Sequence, residues 1–395
     1  MKKTLVILIS LLMIILSSCR KEKPMKEIID GSFLAGLRQY SLLAEVMKEK
    51  PDLLPRTIDE NGNLVTAGSG WWTSGFFPGS LWLLYEYSGD EKIKELAIQM
   101  TSRVEKEKNN TGTHDLGFMM YNSFGNGLRL TADESYEEVL LTSARSLSTR
   151  FRPNIGCIQS WGSNSKWQCP VIIDNMMNLE LLMYAFSVTG DSLYYNICIS
   201  HSDTTIKNHY RFDYSSYHVV SYDTITGQIE VKQTHQGAAD GSAWSRGQVW
   251  GLYGYVTMYR ETKLQRYLDH AIHIADFLIS HPNMPDDGIP YWDFDAPGIP
   301  DAKRDASAGA IMASALIDLC RFTDEEAGKK YLGFAEKQLR NLASEEYLAK
   351  EGENGYFILK HGVGHLPGKS EVDVPLIYAD YYFLEGLLRY RYFTD

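Results

Sequence analysis

The stretch PVIIDNMMNLELLMYAFSVTGDSLYYN, residues 170–196, contains one full unit of the chain's organisation. Leu179, Leu182, Met183 and Phe186 fall at i, i+3, i+4 and i+7, the spacing of a single helical face. Apolar residues fill most of the remaining positions too, as in a helix enclosed by other helices. A turn at Gly190 then leads into a more polar segment. The same order recurs at YSGDEKI (Gly89), LTADESY (Ala132), RETKLQRY (Thr262) and RFTDEEA (Thr323), and the chain ends on YFTD. Val249, Leu252, Tyr253 and Val256 repeat the enclosed pattern, as do Met312, Ala315, Leu316 and Leu319. After the turns the helices are amphipathic: Leu264, Tyr267, Leu268 and Ala271 form one stripe with charges opposite. Irregular repetition of this kind is the signature of a helical repeat architecture.

Six enclosed helices require six covering ones. Five follow the internal turns, and GSFLAGLRQYSLLAEVMK near the start supplies a sixth that closes onto the last. The expected fold is all-α, a single (α/α)6 barrel, with an open helical solenoid as the alternative. Only SSYHVVSYDTITGQIEVKQT alternates like a β-hairpin, around Thr226-Gly227, so a small hairpin insertion is expected.

The chain opens MKKTLVILISLLMIILSSCRKEKP. Two lysines, an apolar run and Leu16-Ser17-Ser18-Cys19 form a bacterial lipoprotein signal, residues 1–19, with Cys19 as the lipidated residue; a retained N-terminal membrane span is the alternative. Residues 20–28 then form a polar tether and residues 29–395 the barrel. This arrangement implies export, with the protein periplasmic or anchored in the outer membrane of a Gram-negative bacterium. The membrane is reached only through the lipid. A formal net charge of −11 argues against nucleic acid as a partner. It also means that an anionic substrate would have to be met by cations concentrated locally. Beyond Cys19, the cysteines Cys157, Cys169, Cys198 and Cys320 show no zinc-ligand spacing. Cys157 and Cys169 are either a disulfide or separate buried thiols. No metal or cofactor is expected.

The enclosed helices should begin near Ser74, Leu116, Asn175, Gly247, Ser307 and Leu376. At or just before those starts lie Trp71-Trp72, His114-Asp115, Asp174, Trp244-Arg246, Arg304-Asp305 and Lys369. If the enclosed helices run parallel, these groups gather at one barrel end, where helix N-termini also favour anions. Helix capping would account for any one aspartate, but not for the aromatic and cationic company. Two carboxylates in a cleft, with Trp and Tyr nearby, are the equipment of sugar chemistry. Val171, Ile172, Ile173, Met176 and Met177 flank Asp174, a setting that should raise its pKa by desolvation and favour a proton donor. Asp115, beside His114 as a charge partner, is the candidate for the ionised member. The tryptophans offer flat surfaces for sugar rings.

Six segments together are restrictive: WTSGFFPG, HDLGFMMYNSFGNG, DNMMNLELL, HQGAADGSAWSRGQVWGLYG, RDASAGA and LIYADYYFLEGLLR. In this order they resemble the successive signatures of the unsaturated glucuronyl hydrolases, glycoside hydrolase family 88. The resemblance implies an (α/α)6 barrel that releases a terminal 4,5-unsaturated uronic acid from lyase-generated oligosaccharides. It places the catalytic pair on Asp115 and Asp174. The implied chemistry is protonation of the vinyl ether at C4 by Asp174, addition of water at C5, and opening of the hemiketal to expel the leaving sugar. Asp115 then stabilises the cationic transition state or attacks as a nucleophile.

Further roles follow from the resemblance. Arg246 and Trp250 contact the unsaturated sugar, Arg246 through its carboxylate; a buried salt bridge, for instance with Asp240, is the alternative for Arg246. His218 and Gln236 belong to the same subsite, Lys232 and Thr234 line the approach, Trp161 stacks on a sugar ring, and Trp72 and His114 complete the contacts. Members that favour sulfated units carry an arginine before the QG and a serine/lysine motif in a late loop. Here His235 stands at the first position. In GVGHLPGKSEVD, Lys369 survives while Gly364 and Pro367 replace the serines. The expected substrates are unsaturated fragments of chondroitin, hyaluronan or heparin type. An unsaturated rhamnogalacturonyl hydrolase of pectin breakdown is the alternative enzyme, and a non-catalytic glycan-binding lipoprotein the alternative of another class.

Overall fold

The computed structural model describes residues 22–394; Cys19 and the leader lie outside them. Among the described residues there are twelve α-helices: α1 Met25–Lys48, α2 Phe76–Ser88, α3 Glu91–Ser102, α4 Asn126–Thr131, α5 Glu134–Ser148 and α6 Leu179–Thr189. They continue as α7 Ser192–His209, α8 Ser245–Thr262, α9 Gln265–Ser280, α10 Ala306–Leu319, α11 Glu325–Leu342 and α12 Ile377–Thr394. A wide π-type helix, Gly117–Gly125, runs directly into α4, and a 3-10 segment, Ile173–Asn178, leads into α6. The even-numbered helices form an inner ring. Each packs on the next, and α12 closes the ring by packing against both α10 and α2. The fold is therefore a closed (α/α)6 barrel rather than an open solenoid.

The turns explain the repeated sequence pattern. Gly89, Ala132, Gly190 and Lys263 end inner helices in the left-handed conformation, with φ between 55° and 69°. Gly pays nothing for that geometry. The next outer helix then starts on an aspartate: Asp90, Asp133, Asp191 and Asp324 each accept a hydrogen bond from a first-turn N–H. The turn before α9 has no such cap; Leu264 stands there and the turn residue is Lys263 rather than Thr262. In α10 every residue from Ala306 to Leu319 is buried, the extreme case of an enclosed helix.

Counted from the π-type helix before α4 and the 3-10 segment before α6, the inner helices begin within two residues of the positions read from sequence. Because inner and outer helices alternate in direction, all six inner N-termini share one end of the barrel. Strands decorate that end far more than the single expected hairpin. Antiparallel pairs are β1 (Leu53–Ile58) with β2 (Leu64–Gly68), and β3 (Phe151–Arg152) with β4 (Cys157–Ile158). β5 (Cys169–Ile172) joins β6 (Val219–Tyr222) and β7 (Ile229–Gln233) in one sheet, and β8 (Gly362–His365) pairs with β9 (Ser370–Val374). Most are too short to show an alternating pattern, and Pro55 interrupts β1 at an edge. Each group immediately precedes an inner helix, so the strands wall the site. Cys157, Cys169, Cys198 and Cys320 are buried free thiols, so the Cys157–Cys169 disulfide is not formed.

Close approach between inner helices fixes the site's floor. A Cβ on Gly117 would stand 2.5 Å from the Cα of Asn178, whose side-chain oxygen accepts a hydrogen bond from Phe118 N–H at 3.0 Å. Backbone cannot yield as a flexible side chain can. Gly117→Ala is expected to cost about 1–3 kcal/mol through overpacking, measurable by urea unfolding; an unchanged midpoint would show that the two helices can separate.

Candidate active site

At the inner-helix N-terminal end, a cavity of about 100 Å³ is lined by Trp72, His114, Asp115, Phe118, Trp161, Ile172, Asp174, Gln236 and Arg246. A larger cavity of about 540 Å³ opens at the opposite end among Tyr121, Tyr184, Tyr381 and paired charges. There Arg260 is held by Glu180 and Asp318, and Arg389 faces Glu385. Those charges are mutually neutralised. The smaller cavity is the one whose carboxyl groups, Asp115 and Asp174, have no arginine ion pair among the described residues.

Asp174 stands in the first turn of the 3-10 segment, where Ile172 and not Asp174 occupies the N-cap, so capping does not account for it. Its side chain keeps 14 % exposure, facing the cavity it lines. Burial pushes its carboxyl up to about 7, Arg246 pulls the other way, and the negative charge of Asp115 raises it further. Among the described residues Asp174 Oδ2 has no hydrogen-bond partner, and neither has His218 Nε2, 3.7 Å away. The backbone fixes that imidazole. His235 N–H and Gln236 N–H both donate to His218 Nδ1 at 3.2 Å, so the proton of the neutral ring sits on Nε2 and points towards Asp174. Burial holds His218 well below the ordinary histidine range, which keeps the ring neutral.

Asp115 lies just before the π-type helix, and its Oδ2 accepts from the Thr113 hydroxyl at 3.1 Å. His114 Nδ1–H donates to the Ser160 carbonyl at 2.9 Å, leaving Nε2 to face Asp115 Oδ1 at 3.3 Å. Burial lowers the pKa of His114 and Asp115 opposes that. The contact is favourable when a proton lies between the two groups.

Arg246 is 1 % exposed. Its partner is Asp305, at 2.9 Å, rather than Asp240. It also donates to the carbonyls of Val363 and, at 2.5 Å, Gly364. Three of its five N–H groups are thus taken, and Nε and one Nη2 hydrogen remain for a ligand. Asp305 caps α10 through Ser307 N–H and also accepts from Val363 N–H. Gln236 lines the cavity and donates to Gly364 O at 2.9 Å.

Other expected residues lie behind or beside this cavity. Trp250 is buried beneath Phe118, ring centroids 5.0 Å apart, with its indole N–H unpartnered among the described residues. His235 packs on Trp161 at 5.3 Å and on His365 at 4.6 Å. Lys232 lies over Tyr217, and Thr234 is engaged within its own loop, accepting from Gly237 N–H. Pro367 and Lys369 are exposed at the β8–β9 turn, and Gly364 is buried beneath it. Phe118, Ile172, Asp305 and His365 are not among the site residues expected from sequence; Asp305 carried a signal in its place at an inner-helix start and Ile172 in its place beside Asp174, whereas Phe118 and His365 carried none. Among the described residues, no group of His, Cys, Asp and Glu side chains is arranged to hold a metal ion.

Residues 45–385 match the profile of Glycosyl Hydrolase Family 88. The chain belongs to that family. A family 88 relative from Formosa agariphila, an unsaturated glucuronyl hydrolase, is 49 % identical over 80 % of this chain and 79 % of its own. An unsaturated chondroitin disaccharide hydrolase from Streptococcus pneumoniae is 34 % identical over 81 % of each chain. Among solved structures, an unsaturated glucuronyl hydrolase specific for heparin superposes with a TM-score of 0.90 at 46 % identity, covering 93 % of this chain and 98 % of that one. This family 88 chain is a glycoside hydrolase.

Proposed function

We propose that this enzyme releases 4,5-unsaturated uronic acid from the non-reducing end of lyase-generated glycosaminoglycan fragments, heparin-type ahead of chondroitin-type. The carrying observation is one cavity that holds two carboxyl groups, of which Asp174 is pushed up to about 7. A group with that pKa is still protonated near neutrality and can act as a general acid. Its proton goes to C4 of the vinyl ether, and positive charge develops at C5 and the ring oxygen. Asp115, across the same cavity, stabilises that charge. Water adds at C5 and returns its proton to Asp174. The hemiketal opens, and the leaving sugar departs with its oxygen. The two uncommitted N–H groups of Arg246 suit the uronate carboxylate, and the exposed part of Trp161 suits a sugar face. The heparin preference rests on the 46 % identity to an enzyme specific for heparin, against 34 % to the streptococcal chondroitin enzyme. The N-terminal leader supports an exported enzyme tethered through lipidated Cys19.

The ultraviolet absorbance of the unsaturated uronate disappears on hydration, which gives a direct assay. Loss of signal is expected with unsaturated heparin disaccharides and, more slowly, with chondroitin disaccharides. Turnover confined to unsaturated rhamnogalacturonan would move the assignment to pectin, and saturable binding without turnover would make the protein a glycan-binding lipoprotein.

A further inference from the structure

A chain with a formal net charge of −11 has to meet an acidic oligosaccharide with local cations, and Arg246 is largely committed to Asp305 and two carbonyls. A second guanidinium belongs to the same end of the barrel. Arg56, in β1, donates through Nε to Glu371 in β9 at 2.6 Å. Its guanidinium carbon lies 4.2 Å above the indole of Trp71. Each support is one residue removed from the lining of the cavity. Trp71 directly precedes cavity-lining Trp72, and Glu371 packs against Gly364, whose carbonyl accepts from Arg246 and Gln236. Among the described residues neither Nη of Arg56 has a hydrogen-bond partner, and the side chain keeps 22 % exposure. Trp71 is 40 % exposed.

A guanidinium held at Nε, with one face on an aromatic ring, presents its two Nη groups as a preset fork for an oxyanion. The segment that supplies Glu371 is conformationally costly: Lys369, Glu371 and Asp373 have φ of 52°, 56° and 59°. Three left-handed non-glycine residues within five are sparsely populated geometry of a kind that clusters at ligand sites. Ion pairs Arg56–Glu371 and Lys303–Asp373 hold it.

We propose that Arg56, seated on Trp71 and oriented by Glu371, binds an oxyanion on the leaving part of the oligosaccharide. That oxyanion is either a sulfate ester on the first leaving sugar or the carboxylate of the next uronate. The inference rests on the proposed function and adds a specificity subsite to it. The competing explanation is a purely structural clip between the β1–β2 and β8–β9 hairpins.

Steady-state kinetics on three unsaturated substrates decides between them: an unsulfated disaccharide, its sulfated counterpart, and an unsulfated tetrasaccharide. Arg56→Gln is expected to raise KM about ten-fold for the substrate that carries the recognised oxyanion, the scale of one charged hydrogen-bonded contact. The unsulfated disaccharide should change by less than about two-fold. A response to the sulfated disaccharide identifies the sulfate, and a response to the tetrasaccharide identifies the carboxylate. Glu371→Gln should lower KM for the same substrate, because the amide oxygen still accepts from Nε and orients the guanidinium on Trp71 while the competing negative charge is gone. A clip predicts the opposite sign there, with both variants losing activity on all three substrates alike, and that result overturns the proposal. Calorimetric binding of the three saccharides to Asp174→Asn, with and without Arg56→Gln, reads the same contrast without turnover. Inactivity of the parent enzyme would therefore reject the proposed function and still leave the subsite decided.

Discussion

Asp174→Asn is expected to lower kcat by about 10²–10⁴-fold, the usual worth of a positioned general acid, and at the same time to stabilise the protein at alkaline pH. The two effects share one cause. An unfolded chain ionises this carboxyl near the ordinary 3.8, whereas burial pushes it up to about 7 in the folded protein. Between those values the folded state holds a proton that the unfolded state has released. Stability therefore falls as pH rises through the window and stays low above about pH 7, where the folded protein contains a buried, ionised Asp174. Linkage puts this penalty at about 4 kcal/mol. Asparagine carries no such charge, so the melting temperature of the variant should exceed that of the parent at pH 8. The gain should vanish near pH 4 and below. The kcat/KM of the parent should decline above about pH 7 as the acid ionises, with neutral His218 contributing no titration of its own. Thermal melts at pH 4 and pH 8, beside a pH–rate profile, check all of this. Equal melting temperatures at pH 8 would mean that the carboxylate is solvated and Asp174 is no general acid.

Much of this was legible in the sequence, and the reasons are local. The barrel follows from a pattern that never reaches beyond two adjacent helices: an enclosed helix, a left-handed turn, an Asp cap and an amphipathic helix. Asp174's setting was visible too, because Val171, Ile172 and Ile173 are neighbours in the chain as well as in space. What escaped was long-range. Arg246 meets the Gly364 carbonyl 118 residues away, and Arg56 meets Glu371 across 315; no local spacing could reveal either. The short strands of the site wall were hidden for a related reason. β3 and β4 have two residues each, below any periodicity, and they exist because a barrel end needs backbone partners for its loops.

The second large effect is on stability. Arg246→Met is expected to cost about 3–5 kcal/mol, because it leaves Asp305 buried without its cation. Asp305 has 0 % exposure and caps α10 through Ser307 N–H while also accepting from Val363 N–H. The single variant should therefore loosen both the start of α10 and β8. Adding Asp305→Asn removes the stranded charge yet keeps an oxygen for those N–H groups, so the double variant should recover much of the lost stability in urea unfolding. It should not recover activity. Arg246 also lowers the pKa of Asp174, so its removal should carry the alkaline limb of any residual activity to higher pH. A structural arginine predicts recovery of both stability and rate in the double variant; an arginine that also serves the reacting sugar predicts that the two separate. Stability of Arg246→Met equal to the parent's would mean that the Arg246–Asp305 ion pair contributes nothing to the fold.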